Sequence, residues 1–473
     1  MANHKIRLKS LVLKFGGTSL GTADAIHKSA EITKAARQDT ADKVAVVASA
    51  IHGATDKLHQ ATTAAARADG RYLDLIAELR EIHRACAEGI VGKESKTVVG
   101  EIDKLLDGFV DFCNSVRALG EAGPRILDHA MSLGERMSVI ILAAVLRQMD
   151  IPARAVNASD IVVTDDRFQD AAPELEATRR RVAEILRPIF DRGETPVITG
   201  FVGATLDGIT TTLGRGGSDF SAGLIAACLG SDELWIWTDV DGVMTADPKV
   251  VSSARTIDAL GYQEVRELSY FGAKVLHPKT MQSALALEIP VRVRNTFNPS
   301  HEGTVILPDL EGSNGGIKAI TAVRNVSLIT VEGTGMMGVP GIAARTFDAV
   351  AQTGASVLLI SQASSEQSIC FAVPRASAPT AVEALKSQFE LAISRGNIDR
   401  VWAQDDITIV TIVGSGMRQT AGVAGQVFTA TGNQDINVIA IAQGSSEYSI
   451  SLVVQDRDGD DAVRAIHELV IEG

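Results

Sequence analysis

The chain has 473 residues, which is too long for a single hydrophobic core and predicts about three folded units. Its net charge is −13 and no cluster of Lys and Arg is present, which argues against nucleic acid as a partner. The longest apolar run, Val139 to Leu146, is far shorter than the roughly 20 residues of a membrane-spanning helix, and no stretch near Met1 resembles a secretory leader. The four widely spaced cysteines have no disulfide or zinc pattern, so a cytoplasmic protein is expected.

The first half of the chain alternates between strand and helix patterns. A buried strand is predicted from Leu11 to Phe15 and a second from Lys43 to Ser49, with a helix over 23–37 between them. Helical spacing between about residues 56 and 119 predicts an inserted helical hairpin. Further elements are predicted at 130–149 (helix), 153–156 (strand), 174–192 (helix), 196–199 (strand), 219–229 (helix) and 234–237 (strand). The alternation predicts a mainly parallel sheet with helices on both faces and ligands at the carboxyl ends of its strands.

The last third of the chain is a duplication. A linker is predicted at Pro308–Gly316, where four of nine residues are Gly or Pro. Beyond it, Gln362 recurs as Gln443 and Gly335 as Gly416, both at an offset of 81 (443 − 362 = 416 − 335 = 81). Each copy reads strand, turn, helix, strand, strand, helix, which predicts an α/β sandwich. It is either a dimerisation module or a sensor of small ligands, and the Gln-x-Ser-Ser-Glu set at a strand end favours the sensor.

Four glycine-rich segments at predicted strand-to-helix junctions carry charged residues. They are Lys14–Ser19, Thr211–Asp219, Trp237–Gly242 and Phe271–Pro278. Phosphoryl transfer needs cations and backbone N–H groups around the phosphate oxygens, and Lys14, Arg215 and Lys274 are the cations in these segments. The set therefore predicts a phosphoryl-transfer enzyme, although the Walker and protein-kinase motifs are missing.

Simpler roles remain open for the same residues. Lys14 could be a strand-end lysine that reaches solvent, and Asp219 could be only a helix N-cap. A plain β-turn would account for Thr238 and Asp239, and Lys274 could be an ordinary surface lysine.

Together, the four segments resemble the motifs of the aspartate kinases of the amino acid kinase superfamily, and the duplicated tail resembles paired ACT domains. The resemblance covers nearly the whole chain. It implies a three-layer α/β/α kinase domain over residues 1–307, with the hairpin at about 56–119, and a linker at 308–316. Two ferredoxin-like ACT modules would follow, the first at 322–399 and the second formed by 317–321 with 405–473, so that the first is inserted into the second.

The resemblance implies a reaction. ATP would phosphorylate the side-chain carboxylate of L-aspartate to give 4-phospho-L-aspartate, with Mg²⁺, at the entry to lysine, threonine, methionine and isoleucine synthesis. Lys14 would stabilise the transferring phosphoryl group and Asp219 would organise the catalytic loop. Arg215 would bind the substrate α-carboxylate and Glu135 its amino group. The residues placing the substrate side chain would be Ser49 and Thr55.

The same resemblance implies the nucleotide site, with no protein side chain assigned as a metal ligand. Its residues would be Lys14, Gly16, Gly17, Thr18, Ser19, Thr238, Asp239, Met244, Lys249 and Lys274. Two positions depart from the family pattern, because Met244 stands where related enzymes often have Tyr and Lys249 where they often have Arg.

The tail is most similar to that of threonine-sensitive aspartokinases, in which the Gln of each module contacts an effector. Gln362 and Gln443 would therefore bind an end-product amino acid, threonine as the first candidate and lysine as the second. ACT strands usually pair across subunits, which implies a homodimer or homotetramer. Alternatives are another amino acid kinase, such as one acting on glutamate, a non-catalytic amino acid sensor, and a kinase whose effector sites have degenerated.

Overall fold

The protein divides into two compact units, and each of them is made of several separate segments of the chain. A computed structural model describes residues 7–272, 284, 287–308, 316–363, 365–417, 420–443 and 448–472. The first unit comprises residues 1–243, 256–262 and 275–310, and the second comprises 244–255, 263–274 and 311–473. The predicted kinase range of 1–307 therefore contains two segments that belong to the second unit.

The first unit is built on a sheet whose strands run almost all in one direction. The strands of this unit are β1 (Leu8–Phe15), β2 (Ala41–Ala48), β3 (Ala153–Val156), β4 (Thr195–Thr199), β5 (Val202–Ala204), β6 (Thr210–Thr212), β7 (Glu233–Thr238), β8 (Ala259–Gly261), β9 (Val291–Asn295) and β10 (Thr304–Leu307). In the described part of the chain, eight of them form one sheet in the order β3-β4-β2-β1-β7-β9-β10-β8. Only β9 and β10 are antiparallel neighbours in it, which confirms the mainly parallel sheet, and β5 and β6 form a separate hairpin.

Helices connect these strands at nearly the predicted places. They are α1 (Ala23–Ala35), α2 (Ala54–Ala66), α3 (Arg71–Glu88), α4 (Ser95–Leu119), α5 (Pro124–Gln148), α6 (Leu175–Asp191) and α7 (Gly217–Leu229). The hairpin expected over 56–119 contains three helices instead of two. Ala68 takes a left-handed φ of 56° after α2, and the Asp69 side chain accepts a hydrogen bond from the Arg71 N–H at the start of α3. Apolar periodicity does not reveal a break as short as this one.

Helix α5 is the central helix of the first unit. By length and composition this helix could cross a membrane, yet 78% of its 18-residue apolar stretch is buried inside the protein. Two acidic residues on it, Asp128 and Glu135, are also buried. The helix therefore carries two carboxyl groups into the interior of the unit.

The glycine-rich segments occupy more varied positions than predicted. Lys14–Ser19 begins at the end of β1 and runs towards α1, and Thr211–Asp219 leads from the β5–β6 hairpin into α7. Trp237–Gly242 follows β7, but residues 239–258 contain no helix, because the chain runs through turns in which Asp241 accepts hydrogen bonds from two asparagine side chains. Phe271 follows helix α8 (Tyr262–Tyr270), so the fourth segment begins after a helix. Residues 273–278 of this segment, with Lys274, lie outside the described residues.

The second unit is a sheet covered by helices. Its strands are β11 (Gly316–Glu332), β12 (Leu359–Gln362), β13 (Ser368–Pro374), β14 (Arg400–Ser415), β15 (Ala440–Ala442) and β16 (Ser449–Gln455). Beyond α8, its helices are α9 (Ile342–Gln352), α10 (Ala378–Gln388), α11 (Glu390–Ser394), α12 (Val423–Asn433) and α13 (Gly459–His467). The described strands lie in the antiparallel order β12-β13-β11-β14-β16-β15, and the strand and helix order of the duplicated sandwich is confirmed.

The long strands β11 and β14 connect the two modules. Residues 317–323 pair with 409–414, whereas 328–332 pair with 400–404. The first part of β11 thus joins the sheet of the second module, and this pairing supports the proposal that the first module is inserted into the second. Of the predicted linker, residues 309–315 lie outside the described residues.

Residues 244–255 pack inside the second unit although they precede the tail in sequence. Ala246 and Val251 are buried in one apolar cluster with β14, β16, α12 and α13. Thr245 Oγ1 lies 2.9 Å from Nε2 of the buried His467. This stretch carries Met244 and Lys249, which were predicted as nucleotide contacts.

Candidate active site

The first unit has a crevice at β1, where the order of the strands in the sheet reverses: β2, β3 and β4 lie on one side of β1, and β7 to β10 lie on the other. β1 lies between β2, which is the next strand in the chain, and β7, which begins 218 residues after β1 ends (233 − 15 = 218). Open α/β sheets bind ligands at such a switch point, beyond the carboxyl ends of the strands. Lys14 is at that end of β1, Ser49 follows β2 and Thr238 ends β7.

A cavity of about 690 Å³ lies in this region of the first unit. All six residues predicted for catalysis and substrate binding line it. They are Lys14, Ser49, Thr55, Glu135, Arg215 and Asp219. Because they come from separate strands and helices, their convergence is a property of the fold and not of any single motif.

Lys14 and Asp219 form an ion pair in the wall of this cavity. The Lys14 side chain is 10% exposed, and its Nζ lies 2.5 Å from Oδ1 of Asp219. Asp219 is in the first turn of α7, whose N-cap is Gly216, so the alternative that Asp219 is only an N-cap is wrong. The pair holds the Lys14 ammonium beside Gly16, where a Cβ would stand 3.4 Å from Nζ.

Glu135 is a buried acid on the α5 wall of the cavity. Only 3% of the residue is exposed, and burial raises the pKa of its carboxyl to about 8. Oε2 has no hydrogen-bond partner among the described residues. Gly134 lets α5 pack closely against the segment that follows β2, because a Cβ at this position would lie only 2.8 Å from Cβ of Ala50. An acceptor that lacks a donor in a buried pocket suits a ligand ammonium.

Arg215 provides the exposed cation of the cavity. It follows Gly214, and within the described residues it has no ion-pair partner. A free guanidinium can hold a carboxylate through two parallel hydrogen bonds. The cavity therefore presents a buried carboxyl for an ammonium and a guanidinium for a carboxylate, which together suit an α-amino acid.

The comparisons with known proteins agree with this geometry. Residues 9–295 match the model of the amino acid kinase family, and residues 329–389 and 410–469 match that of the ACT domain. The first match alone covers more than half of the chain. The chain belongs to the amino acid kinase family.

Relatives of this amino acid kinase are aspartokinases. Bifunctional aspartokinase/homoserine dehydrogenase 1 of Arabidopsis thaliana is 37% identical over 465 residues, which are 96% of this chain and 50% of the relative. Lysine-sensitive aspartokinase 3 of Escherichia coli K12 is 31% identical over 98% of this chain and 99% of its own. The structure of E. coli aspartokinase III with aspartate and ADP matches with a TM-score of 0.79 and 30% identity, over 98% of this chain and 100% of that one. The chain thus spans about half the length of its bifunctional relatives.

In this kinase the Gly16–Ser19 segment forms a turn before α1. The Gly16 N–H donates to the Trp237 carbonyl at 3.3 Å, which ties the turn to β7. Ser19 is buried, with Oγ 3.3 Å from the same carbonyl, whereas Thr18 is exposed. The N-cap of α1 is Thr22, so the glycines precede the helix by a turn. The Ser19 hydroxyl therefore holds the loop, and Thr18 is left exposed.

The other predicted nucleotide residues are scattered. Thr238 and Asp239 lie at the carboxyl end of β7, where the Thr238 hydroxyl donates to the exposed Asp239 carboxylate at 3.1 Å. Met244 and Lys249 belong to the second unit, and Lys274 lies outside the described residues. The structure places the two glycine segments of β1 and β7 side by side and does not bring Met244 and Lys249 into the described cavity.

The second unit has its own cavity, at the end of β12. It measures about 330 Å³ and is lined by Gln362 and Glu366. Glu366 accepts a hydrogen bond from the Gly338 N–H at 3.0 Å. The equivalent Gln443 is exposed just after β15, and residues 444–447 of its motif lie outside the described residues.

Sequence reasoning missed several residues of the kinase cavity. Gln169, Phe201 and Thr212 line it as well. Gln169 has a φ of 69° and Phe201 a φ of 67°, in the left-handed region that non-glycine residues rarely adopt. Such backbone strain concentrates at functional sites. Neither a Gln nor a Phe signals it in a sequence, whereas Thr212 lies inside the second glycine-rich segment.

Proposed function

We propose that this amino acid kinase is an aspartate kinase, which transfers the γ-phosphoryl group of ATP to the side-chain carboxylate of L-aspartate. The products are 4-phospho-L-aspartate and ADP. The observation that carries the proposal is the convergence of the Lys14–Asp219 pair, the buried Glu135 carboxyl and the free Arg215 guanidinium in one cavity. The E. coli relative that binds aspartate and ADP supports it, since its fold is similar along its whole chain.

Aspartate is recognised through both of its α-substituents. Arg215 binds the α-carboxylate with two parallel hydrogen bonds, and Glu135 in its ionised form binds the α-ammonium. The hydroxyl groups of Ser49 and Thr55 position the side-chain carboxylate for reaction. Ser49 is itself held in place, because its carbonyl accepts a 2.7 Å hydrogen bond from Ser138 of α5.

The transfer step needs charge stabilisation more than acid–base chemistry. An oxygen of the substrate carboxylate forms a bond to the γ-phosphorus while the bond from that phosphorus to the bridging oxygen of ADP breaks. The carboxylate is already ionised at neutral pH, so no proton has to leave it. The Lys14 ammonium, held by Asp219, stabilises the charge on the transferring oxygens.

The nucleotide phosphates lie against the turn of Gly16, Gly17 and Thr18, and Thr238 and Asp239 hold the nucleoside. The roles of Met244, Lys249 and Lys274 in ATP binding stay predictions from the sequence resemblance. Mg²⁺ supplies further charge neutralisation when bound to the phosphate oxygens. The described residues contain no group of three His, Cys, Asp or Glu side chains that could hold a metal ion.

The enzyme opens the synthesis of aspartate-family amino acids and is inhibited by one of their end products. Gln362, in the 330 Å³ cavity, and the equivalent Gln443 are the proposed effector contacts, with threonine the first candidate and lysine the second.

Subunits pair through the ACT modules into a dimer or tetramer. Ile360 and Ile441, equivalent residues on the outer strands of the sheet, are 50% and 43% exposed and suit such a contact. All four cysteines are unpaired, which suits a reducing cytoplasm.

An assay of ADP release with aspartate and with glutamate tests the function. Aspartate should give turnover, and hydroxylamine should trap the acyl phosphate as a hydroxamate. Preference for glutamate would indicate a different amino acid kinase. Nucleotide binding without release of ADP for either substrate would favour a non-catalytic sensor.

A further inference from the structure

One buried carboxylate outside the catalytic set joins three parts of the cavity wall. Asp128 lies on α5 and is fully buried. Its Oδ2 accepts hydrogen bonds from the N–H groups of Gln169 at 2.9 Å and of Thr212 at 3.0 Å. Its Oδ1 accepts a 2.6 Å hydrogen bond from the Thr212 hydroxyl. A single side chain thus holds the 165–172 loop and strand β6 to α5.

The two segments that Asp128 holds are also joined to each other. The Ala171 N–H donates to the Thr212 carbonyl at 3.0 Å. Gly214 lies directly against the loop, because a Cβ there would be 2.8 Å from both the Gln169 carbonyl and Oδ1 of Asp170. Arg215 is the next residue. The position of the guanidinium therefore depends on where the loop and β6 rest on α5.

Asp128 and Glu135 lie seven residues apart, on one face of α5, and Met131 between them lines the cavity too. One helix thus carries the acid proposed for the substrate ammonium and the acid that holds the wall formed by Gln169 and Arg215. Gln169 lines that wall with its backbone in the left-handed region. A strained conformation persists only when its surroundings hold it, and here the Asp128 carboxylate accepts the Gln169 N–H.

We infer that Asp128 is a positioning residue for the wall formed by Gln169 and Arg215, where the substrate α-carboxylate would lie. The side-chain carboxylate would lie at Ser49, which Ser138 holds to the same helix α5. Asp128 thereby sets the distance between the two carboxylate subsites, and this distance selects a diacid of the length of aspartate. The inference rests on the proposed function. Glutamate has one methylene group more, so its two ends fit the fixed spacing only when the wall shifts. Loss of the Asp128 carboxylate leaves two backbone N–H groups and a hydroxyl without their acceptor and frees the wall to move.

The test uses the full chain and three variants. Asp128→Ala removes the acceptor, whereas Asp128→Asn keeps an amide oxygen that can accept both N–H groups. Gln169→Gly removes the side chain from the wall, and glycine adopts a φ of 69° without strain. The control is Asp232→Ala, because Asp232 is an exposed carboxylate that also accepts two backbone N–H groups, those of Lys9 and Ser10 at the amino end of β1.

Initial rates are measured with aspartate varied at saturating ATP, with ATP varied at saturating aspartate, and with glutamate in place of aspartate. Asp128→Ala should raise the KM for aspartate about tenfold and leave the KM for ATP within about twofold, as expected for a few lost hydrogen bonds. Asp128→Asn should recover most of that loss. Gln169→Gly should lower the preference for aspartate over glutamate in kcat/KM by about fivefold with an unchanged Tm, and the control should match the wild type.

A lower Tm for Asp128→Ala with an unchanged KM for aspartate and unchanged substrate preference would reduce Asp128 to a structural role. Equal changes in the KM values of both substrates would also overturn the inference. Should Asp128→Ala fail to fold, Gln169→Gly decides, since an unchanged preference in that variant contradicts the fixed spacing. A wild-type enzyme that does not use aspartate refutes the proposed function, whereas an active wild type with unaltered variants refutes only this inference.

Discussion

Nζ of Lys14, at the end of the central strand, lies 2.5 Å from Oδ1 of Asp219, in the first turn of α7. The side chains are 10% and 18% exposed, so the pair is largely screened from bulk water. The lysine is thereby held in one orientation before a nucleotide arrives. An ammonium that is already in place needs little rearrangement to stabilise a transferring phosphoryl group.

Replacement of this lysine should stop the reaction without unfolding the protein. Lys14→Met should lower kcat by at least about 10²-fold to 10³-fold, since one preorganised charge donor is lost. Lys9→Met is the matched control, because Lys9 lies in the same strand but is exposed at its far end. ADP release and thermal melting of both variants check the prediction, and near-normal turnover of Lys14→Met would contradict it.

Aspartate binding should release a proton at neutral pH. Burial raises the pKa of Glu135 to about 8 in the free protein, so at pH 7 most molecules carry a protonated carboxyl there. An arriving ammonium favours the ionised form, and the proton leaves. Affinity for aspartate should therefore increase between about pH 6 and pH 8. Titration calorimetry in buffers of different ionisation enthalpy should show close to one proton released per aspartate at pH 7.

Glu135→Gln should abolish that proton release and weaken aspartate binding. The matched control is Glu81→Gln, on the exposed face of α3. Proton release that persists in Glu135→Gln would show that another group titrates on binding.

The three-helix segment should lose stability in acid because of His83. This histidine is fully buried in α3, with Nδ1 2.7 Å from the Leu79 carbonyl, and Nε2 has no hydrogen-bond partner among the described residues. Burial lowers its pKa below the ordinary value of 6.5, so below that pH the unfolded chain takes up a proton that the folded one does not. The free energy of unfolding should fall as pH drops below 6.5, by up to about 1.4 kcal/mol per pH unit.

His83→Leu should flatten this dependence, and His27→Gln, at an exposed position on α1, should leave it as in the wild type. Urea unfolding between pH 5 and pH 8 provides the measurement. A wild-type slope retained in His83→Leu would assign the acid sensitivity to other groups.

Feedback inhibition should depend on the glutamines at the two strand ends. Gln362→Ala should raise the inhibitory concentration of the effector about tenfold, as expected for lost hydrogen bonds to a charged ligand. Gln443→Ala tests the second module in the same way. Gln352→Ala is the control, since Gln352 is exposed at the end of α9 and does not line the effector cavity. Threonine and lysine are assayed separately; unchanged inhibition in both variants would reject these sites.

Much of the architecture was predictable because its elements are locally consistent. β3 has the predicted bounds, and the ends of β4 and α6 differ by only one residue from expectation. Helix α5 begins six residues before the predicted Ala130, at Pro124. Asp128 interrupts the apolar pattern of this first stretch, and only tertiary hydrogen bonds explain why such a residue is buried. Hydrophobic periodicity therefore misplaces the start of a helix where the first turns bury a polar side chain.

The candidate site was predictable to the extent that glycine and charge mark it. Lys14, Arg215 and Asp219 each lie within two positions of a glycine, and the structure brings them into one cavity. Gln169 and Phe201 give no such signal, because their left-handed backbone is imposed by neighbouring segments. The assignment of Met244 and Lys249 to the second unit was equally hidden, since it depends on long-range packing of residues 244–255.

The packing of that stretch limits how the protein can be dissected. A gene fragment ending at residue 307 would encode Ala246 and Val251 without the strands and helices that cover them. A tail fragment beginning at residue 316 would lack the same stretch and expose the complementary surface. Each piece would present unburied apolar surface, a frequent cause of insolubility on expression. Both fragments would therefore disrupt the apolar cluster that residues 244–255 complete in the second unit.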